Sequence, residues 1–154
     1  MDTLGRAHAL VGDGAGPVYG IMVHSAFATN LKLQNLPGIG TDGVEQSFSM
    51  GDVVRYGLDG SIRTDVVMRD VNSSNGAPIA VWDVKTGDAR LTGARVREIR
   101  DQLLIGPEVP VIELHIRRGV AAKVIGAKSK SFGVISVRHW HVQHPNKWDQ
   151  QPGC

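Results

Sequence analysis

The stretch from Gly60 to Gly87, GSIRTDVVMRDVNSSNGAPIAVWDVKTG, constrains the fold more than any other part of the chain. Ile62–Arg69 and Pro78–Lys85 are both rich in β-branched residues, and Asn72-Ser73-Ser74-Asn75-Gly76 between them is dense in turn formers. The pattern predicts an antiparallel hairpin. A turn centred near Ser74 places Asp65 opposite Asp83, with Cβ atoms about 4.5–5.5 Å apart on one sheet face. Lys85, two residues beyond Asp83, points to that face as well. A slip of one residue would send Asp65 to the other side.

Two opposed carboxylates repel each other, and a sheet gains nothing from the pair. A divalent cation reverses the balance. One or two carboxylates, with waters and substrate phosphate completing the shell, describe a Mg²⁺ site, and Mn²⁺ takes similar oxygen ligands. A lysine beside such a metal can orient the attacking water and stabilise charge on phosphate oxygens. Asp65, Asp83 and Lys85 are therefore candidate residues for metal-assisted phosphodiester hydrolysis.

Asp65, followed by Asp83-Val84-Lys85 at a strand end, resembles the PD-(D/E)XK, or restriction-endonuclease-like, nucleases. The wider run GSIRTDVVMRD…GAPIAVWDVKTGDARLTGARVREIR…VPVIEL is similar to nuclease toxin domains at the C-termini of bacterial polymorphic and contact- or type VI-delivered effectors. The likeness covers roughly His24 to Leu114. It implies a mixed α/β fold with a central β-sheet flanked by helices, and a backbone carbonyl of Val84 as a further metal ligand. It also implies DNA as substrate, a cognate immunity protein as partner, and a place at the C-terminal end of a larger secreted effector acting in the target bacterial cytoplasm.

The whole chain, 154 residues, suits one domain with a single core. Residues 1–16 read as a flexible lead-in, 17–116 as the core and 117–154 as a basic C-terminal extension. Cys154 is the only cysteine, so an internal disulfide framework is excluded. No stretch approaches the roughly 18 apolar residues of a membrane span, and no basic-then-apolar signal segment opens the chain. Gly12-Asp13-Gly14-Ala15-Gly16 is glycine-rich, but it lacks a preceding strand and the Lys-Ser/Thr of a phosphate loop.

A helix is expected from Pro17, with Val18, Ile21, Met22, Ser25 and Ala26 as its core face and the Asn35-Leu36-Pro37-Gly38 turn after it. Many nucleases of the resembled fold carry a glutamate on this first helix, whereas residues 17–34 contain no Asp or Glu. His24 shares a helix side with Phe27, Ala28 and Leu31, which reads first as a packed, satisfied histidine and second as a possible catalytic residue. A strand is expected over Gly43–Ser49. If it neighbours Ile62–Arg69, Glu45 becomes a third catalytic, metal-binding acid; otherwise it is an exposed strand glutamate.

Downstream, Thr92 is placed to cap a helix running to Leu104, with Ala94, Val96, Ile99 and Leu103 as the buried stripe. Val109–Ile116 then reads as a strand reached by a parallel crossover. Arg90 and Arg95, near the start of the helix, are candidate phosphate contacts.

The net charge is only +2, but it is unevenly spread. From Leu114 onward seven basic residues (Arg117, Arg118, Lys123, Lys128, Lys130, Arg138 and Lys147) face one acid, Asp149. Phe132, Trp140 and Trp148 lie among them. A basic, aromatic-laced segment suits backbone-dominated nucleic-acid binding, with Lys128, Lys130 and Arg138 as candidate contacts. His139-x-His141-x-x-His144 lacks the second ligand cluster of a zinc site.

The sequence thus points to a metal-dependent DNA endonuclease acting as an antibacterial effector toxin. Two alternatives stay open: a repair, restriction-type or RNA-cleaving nuclease of the same fold, and a nucleic-acid-binding module without catalysis.

Overall fold

A computed structural model describes residues 3–70, 76–116 and 119–122. In chain order the elements are α1 (Thr3–Val11), α2 (Gly16–Gln34), β1 (Ser47–Ser49), β2 (Asp52–Val54), β3 (Ile62–Arg63), β4 (Val66–Arg69), β5 (Pro78–Lys85), α3 (Gly93–Leu103), β6 (Val111–His115) and β7 (Gly119–Ala122). The class is mixed α/β. The strands form two small sheets, a four-stranded one of order β4-β5-β6-β7 and a three-stranded one of order β2-β1-β3, where the sequence suggested a single central sheet.

The hairpin register is the one expected. Val66 pairs with Trp82, Val67 with Val81 and Met68 with Ala80, and a bulge follows at Arg69. The ladder ends at Val66 and Trp82, one residue short of an Asp65–Asp83 pair. β5 and β6 are parallel, with Val81 opposite Val111, Asp83 opposite Glu113 and Lys85 opposite His115. The intervening α3 supplies the crossover that parallel neighbours require. Thr92 caps it by accepting the Arg95 N–H at 3.1 Å. Its buried residues are Val96, Ile99 and Leu103, whereas Ala94 lies on the exposed side.

Both faces of the larger sheet are covered, which explains the apolar run from Ala80 to Trp82, whereas Ile79 lies exposed. One face contributes Val67, Val81 and Val111 to a core with Phe48, Ile62, Leu91 and the buried stripe of α3. The other contributes Val66 and Val84 to a core with Leu4 and Ala7 of α1 and Phe27, Ala28 and Leu31 of α2. Thr3–Val11, expected to be a flexible lead-in, is a helix because Leu4 and Ala7 have this second core to bury into.

The expected strand over 43–49 is broken in a regular way. Its partner is the one anticipated: Val44 bridges to Val66, and Ser47 and Phe48 pair with Arg63 and Ile62. Glu45, however, takes a left-handed backbone with φ of 57°, an uncommon conformation for a side-chain-bearing residue. There the chain passes from the larger sheet to the smaller one. Met50 and Gly51, both at positive φ, close β1 onto β2 as a two-residue hairpin loop. Gly43 is held by crowding, since a Cβ there would meet the carbonyl oxygens of Ile39 and Val67.

The second correction concerns α2. Val18, Ile21 and Met22, expected in the core, are exposed, Val18 by 71% and Ile21 by 69%. Tyr19, Val23, Phe27, Ala28 and Leu31 are the buried residues. The helix is apolar on two sides, and only tertiary packing selects between them. This assignment is measurable by chemical denaturation. Phe27→Ala is expected to cost about 3–5 kcal/mol, and Ile21→Ala to stay within about 0.5 kcal/mol; the reverse ranking would put the other face inward.

Candidate active site

The site forms where the apolar rows of the larger sheet give way to polar ones. On the face that carries Val81 and Val111, the next alternate residues are Asp83 and Lys85 on β5 and Glu113 and His115 on β6. Asp83, Glu113 and His115 are buried, and Lys85 is partly so. Asp65 sits just before β4, where this strand diverges from β5.

That divergence gives Asp65 its role in the fold. The β4–β5 ladder ends at Val66 and Trp82, because the chain before Val66 turns to the smaller sheet, where Thr64 N–H donates to Gln46. The Val84 N–H, beyond the end of the ladder, donates to Asp65 Oδ2 at 2.7 Å. A buried backbone donor must find some acceptor, and here a side chain supplies it. Asp65 Oδ1 lies 2.8 Å from His24 Nδ1. α2 crosses close to the end of β5: a Cβ added to Gly20, one turn before His24, would come within 3.2 Å of Thr86 Oγ1.

His24 is therefore satisfied and at the site at once. Its pKa is raised above the ordinary 6.5, chiefly by the Asp65 hydrogen bond. Burial opposes this; the negative charges of Asp65 and Asp83 reinforce it, and Lys85 works against it. Among the described residues only Nδ1 has a hydrogen-bond partner. With a proton on Nδ1 shared toward Asp65, Nε2 is left as the open ring nitrogen.

Asp83 is held between two cations. Lys85 Nζ forms an ion pair with Oδ2, and Arg95 Nε lies 3.6 Å from Oδ1. Oδ2 is buried against the Lys85 ammonium. The contacts thus form two sets, His24 with Asp65 and Asp83 with Lys85 and Arg95, joined through the Val84 N–H that Asp65 accepts.

The remaining candidates are placed differently. The Glu45 carboxylate lies on Arg63 at 2.9 Å and Lys32 at 3.7 Å. Its backbone N–H pairs with the Asp65 carbonyl at 2.9 Å, yet no contact joins its side chain to Asp83. The strand alternation that pointed Glu45 into the site fails because its φ is left-handed. Arg90 is engaged with Glu113 at 2.9 Å. Arg95, besides Asp83, holds Glu98 and the Arg63 carbonyl, each at 2.7 Å. Lys128, Lys130, Arg138 and the histidines of the C-terminal segment lie outside the described residues.

Glu113 and His115 were missed, although the signal was present. In Val111-Ile112-Glu113-Leu114-His115 the alternation puts two polar residues on the face of Val111, and a parallel neighbour of β5 in this register aligns them with Asp83 and Lys85. Glu113 accepts the Leu91 N–H at 2.7 Å and the Arg90 guanidinium at 2.9 Å. Burial pushes its carboxyl up, but these two hydrogen bonds and the Arg90 charge outweigh it, so the pKa lies below the usual carboxylate range.

Among the described residues no group of three or more His, Cys, Asp or Glu is gathered to hold a metal ion, and no helix is long and apolar enough to cross a membrane. Comparison of the chain with protein-family models, with curated proteins and with solved structures gives no match.

The His24–Asp65 pair has a pH signature. Because the folded-state pKa of His24 is raised, the pair contributes its full stability below about pH 6.5 and loses it as pH rises through the higher folded value. An NMR titration of the histidine ring is expected to place His24 above 6.5 and to bring it down in Asp65→Asn. An unchanged midpoint in that variant would contradict the hydrogen bond.

Proposed function

We propose that this chain is a metal-dependent phosphodiesterase of the restriction-endonuclease-like type, with DNA as its substrate. The observation that carries the reading is that Asp65, just ahead of β4, takes the backbone N–H of Val84, the residue between Asp83 and Lys85. The resemblance of the same run to effector nuclease toxins extends the proposal to an antibacterial toxin, delivered by a larger secreted protein and held in check by a cognate immunity partner.

The donor set fits Mg²⁺ or Mn²⁺. Two carboxylates are an incomplete shell, and Mg²⁺ typically keeps waters and takes phosphate oxygens to complete one. Asp83 Oδ2 is buried against the Lys85 ammonium, and a metal at Asp83 would share that carboxylate with Lys85. Asp65 uses one direction on each oxygen, for Val84 N–H and His24, which orients it without exhausting it. The Val84 carbonyl is the further ligand that the resemblance suggests. When bound, the metal supplies Lewis-acid polarisation of the phosphate and a more acidic water.

The chain's own residues do the rest. Lys85 provides a fixed positive charge for a phosphate oxygen and a donor to orient the water. His24, held by Asp65 through Nδ1, presents Nε2 to accept a proton or return it. Arg95 keeps Asp83 in place. Glu45, ion-paired with Arg63 and Lys32, supports the strand that positions Asp65 rather than completing the acid set.

One observation favours a second reading. A histidine with an open ring nitrogen, oriented by a carboxylate beside a lysine, can also deprotonate a ribose 2′-hydroxyl. This would make RNA the substrate without requiring a metal.

Plasmid DNA and a structured RNA, each with Mg²⁺ and with EDTA, separate these readings. Metal-dependent DNA cutting, reduced at least about 10²-fold in Asp83→Ala and in Lys85→Ala, is expected. RNA cleavage that survives EDTA and is lost in His24→Ala would favour the second. Nucleic-acid binding with no cleavage of either would leave a binding module.

A further inference from the structure

We propose that Glu113, with His115 beside it, is a positioning residue that clamps the Gly87–Leu91 connection and thereby aims Arg95 at Asp83. The functional part of this inference rests on the phosphodiesterase reading; the clamp itself does not.

β5 delivers Asp83 and Lys85, and the chain must then leave the sheet, turn, and enter α3. Within the turn the Ala89 N–H reaches the Thr86 carbonyl at 3.1 Å. β6 ties the turn at both ends. His115, fully buried, places Nε2 3.0 Å from the Gly87 carbonyl, at the start of the turn. Glu113, also buried, takes the Leu91 N–H at 2.7 Å, at its end. Leu91 is itself fully buried in the core and immediately precedes the cap Thr92. The hydroxyl of Thr92 takes the Arg95 N–H, and the Arg95 guanidinium reaches Asp83 Oδ1. A contiguous path of named contacts therefore runs from Glu113 to Asp83, although the two already face each other across the β5–β6 ladder.

The chemistry of Glu113 supports this role over a direct one. A buried carboxylate must be hydrogen-bonded or paired, and Glu113 is both. Its oxygens are committed to a backbone amide and to Arg90, whose side chain is about half exposed. Groups that orient the residues around a metal centre typically cost about 10–100-fold in metal affinity or activity when removed.

The test compares Glu113→Ala with Glu113→Gln, which keeps an oxygen for the Leu91 amide. Two quantities are read: kcat against KM for nucleic-acid cleavage, and the exchange of the Arg95 Nε–H with water by NMR. In Glu113→Ala the Arg95 exchange is expected to accelerate, with kcat down about 10–100-fold and KM little changed. Glu113→Gln is expected to restore most of both.

Wild-type exchange and kcat in Glu113→Ala, or a Gln variant no better than Ala, would overturn the proposal. Should Glu113→Ala fail to fold, Arg90→Ala loosens the same clamp from its exposed side. A smaller rise in Arg95 exchange then supports the clamp, and no rise refutes it. If the wild-type protein cleaves nothing, the exchange measurement still decides the clamp, and only the phosphodiesterase reading falls.

Discussion

The carboxylate of Asp65 stands at the point where two sheets part, and the site depends on how it resolves that parting. A strand that leaves its neighbour exposes backbone donors that would have been paired by the ladder. Asp65 takes the Val84 N–H in place of a carbonyl and, with its other oxygen, draws His24 in from α2. One side chain thereby joins the hairpin, the helix and the residue between Asp83 and Lys85. The same geometry that completes the hydrogen bonding of the fold holds His24 and Asp65 beside the end of β5.

Around this point the sheet changes character along its length. Val67, Val81 and Val111 form a dry row against α3, and the next row along is charged. Burying Asp83 and Glu113 so close to that core is tolerable because each meets cations: Lys85 and Arg95 for the first, Arg90 for the second. Side chains carried on strands, backed by a packed core, are held more firmly than side chains on a loop.

What the sequence made legible follows from where local signals agree with tertiary packing. Two β-branched runs around a turn-rich linker specify a hairpin whose register the alternation leaves little freedom to change, so the pairing of Val66, Val67 and Met68 with Trp82, Val81 and Ala80 could be read directly. The boundaries and cap of α3 were equally plain. The buried face of α2 was not, because Val18, Ile21 and Met22 compete with Val23, Phe27 and Leu31, and nothing local decides between them. Glu45 misled for a different reason: alternation assumes extended backbone, and a single left-handed residue at the crossing between sheets ends it. His24 was judged by its apolar neighbours, which are indeed buried, while its ring reaches past them to Asp65. Glu113 and His115 required knowing the register of a parallel pair, which no turn between the two strands could fix.

The central claim is that Asp65 and Asp83 form one cation site. Anomalous diffraction from crystals soaked in Mn²⁺ tests it most directly. A single Mn²⁺ peak within coordination distance of both carboxylates, absent from crystals of Asp83→Asn, is the expected result. Mn²⁺ bound elsewhere, or a peak that persists in Asp83→Asn, would contradict it.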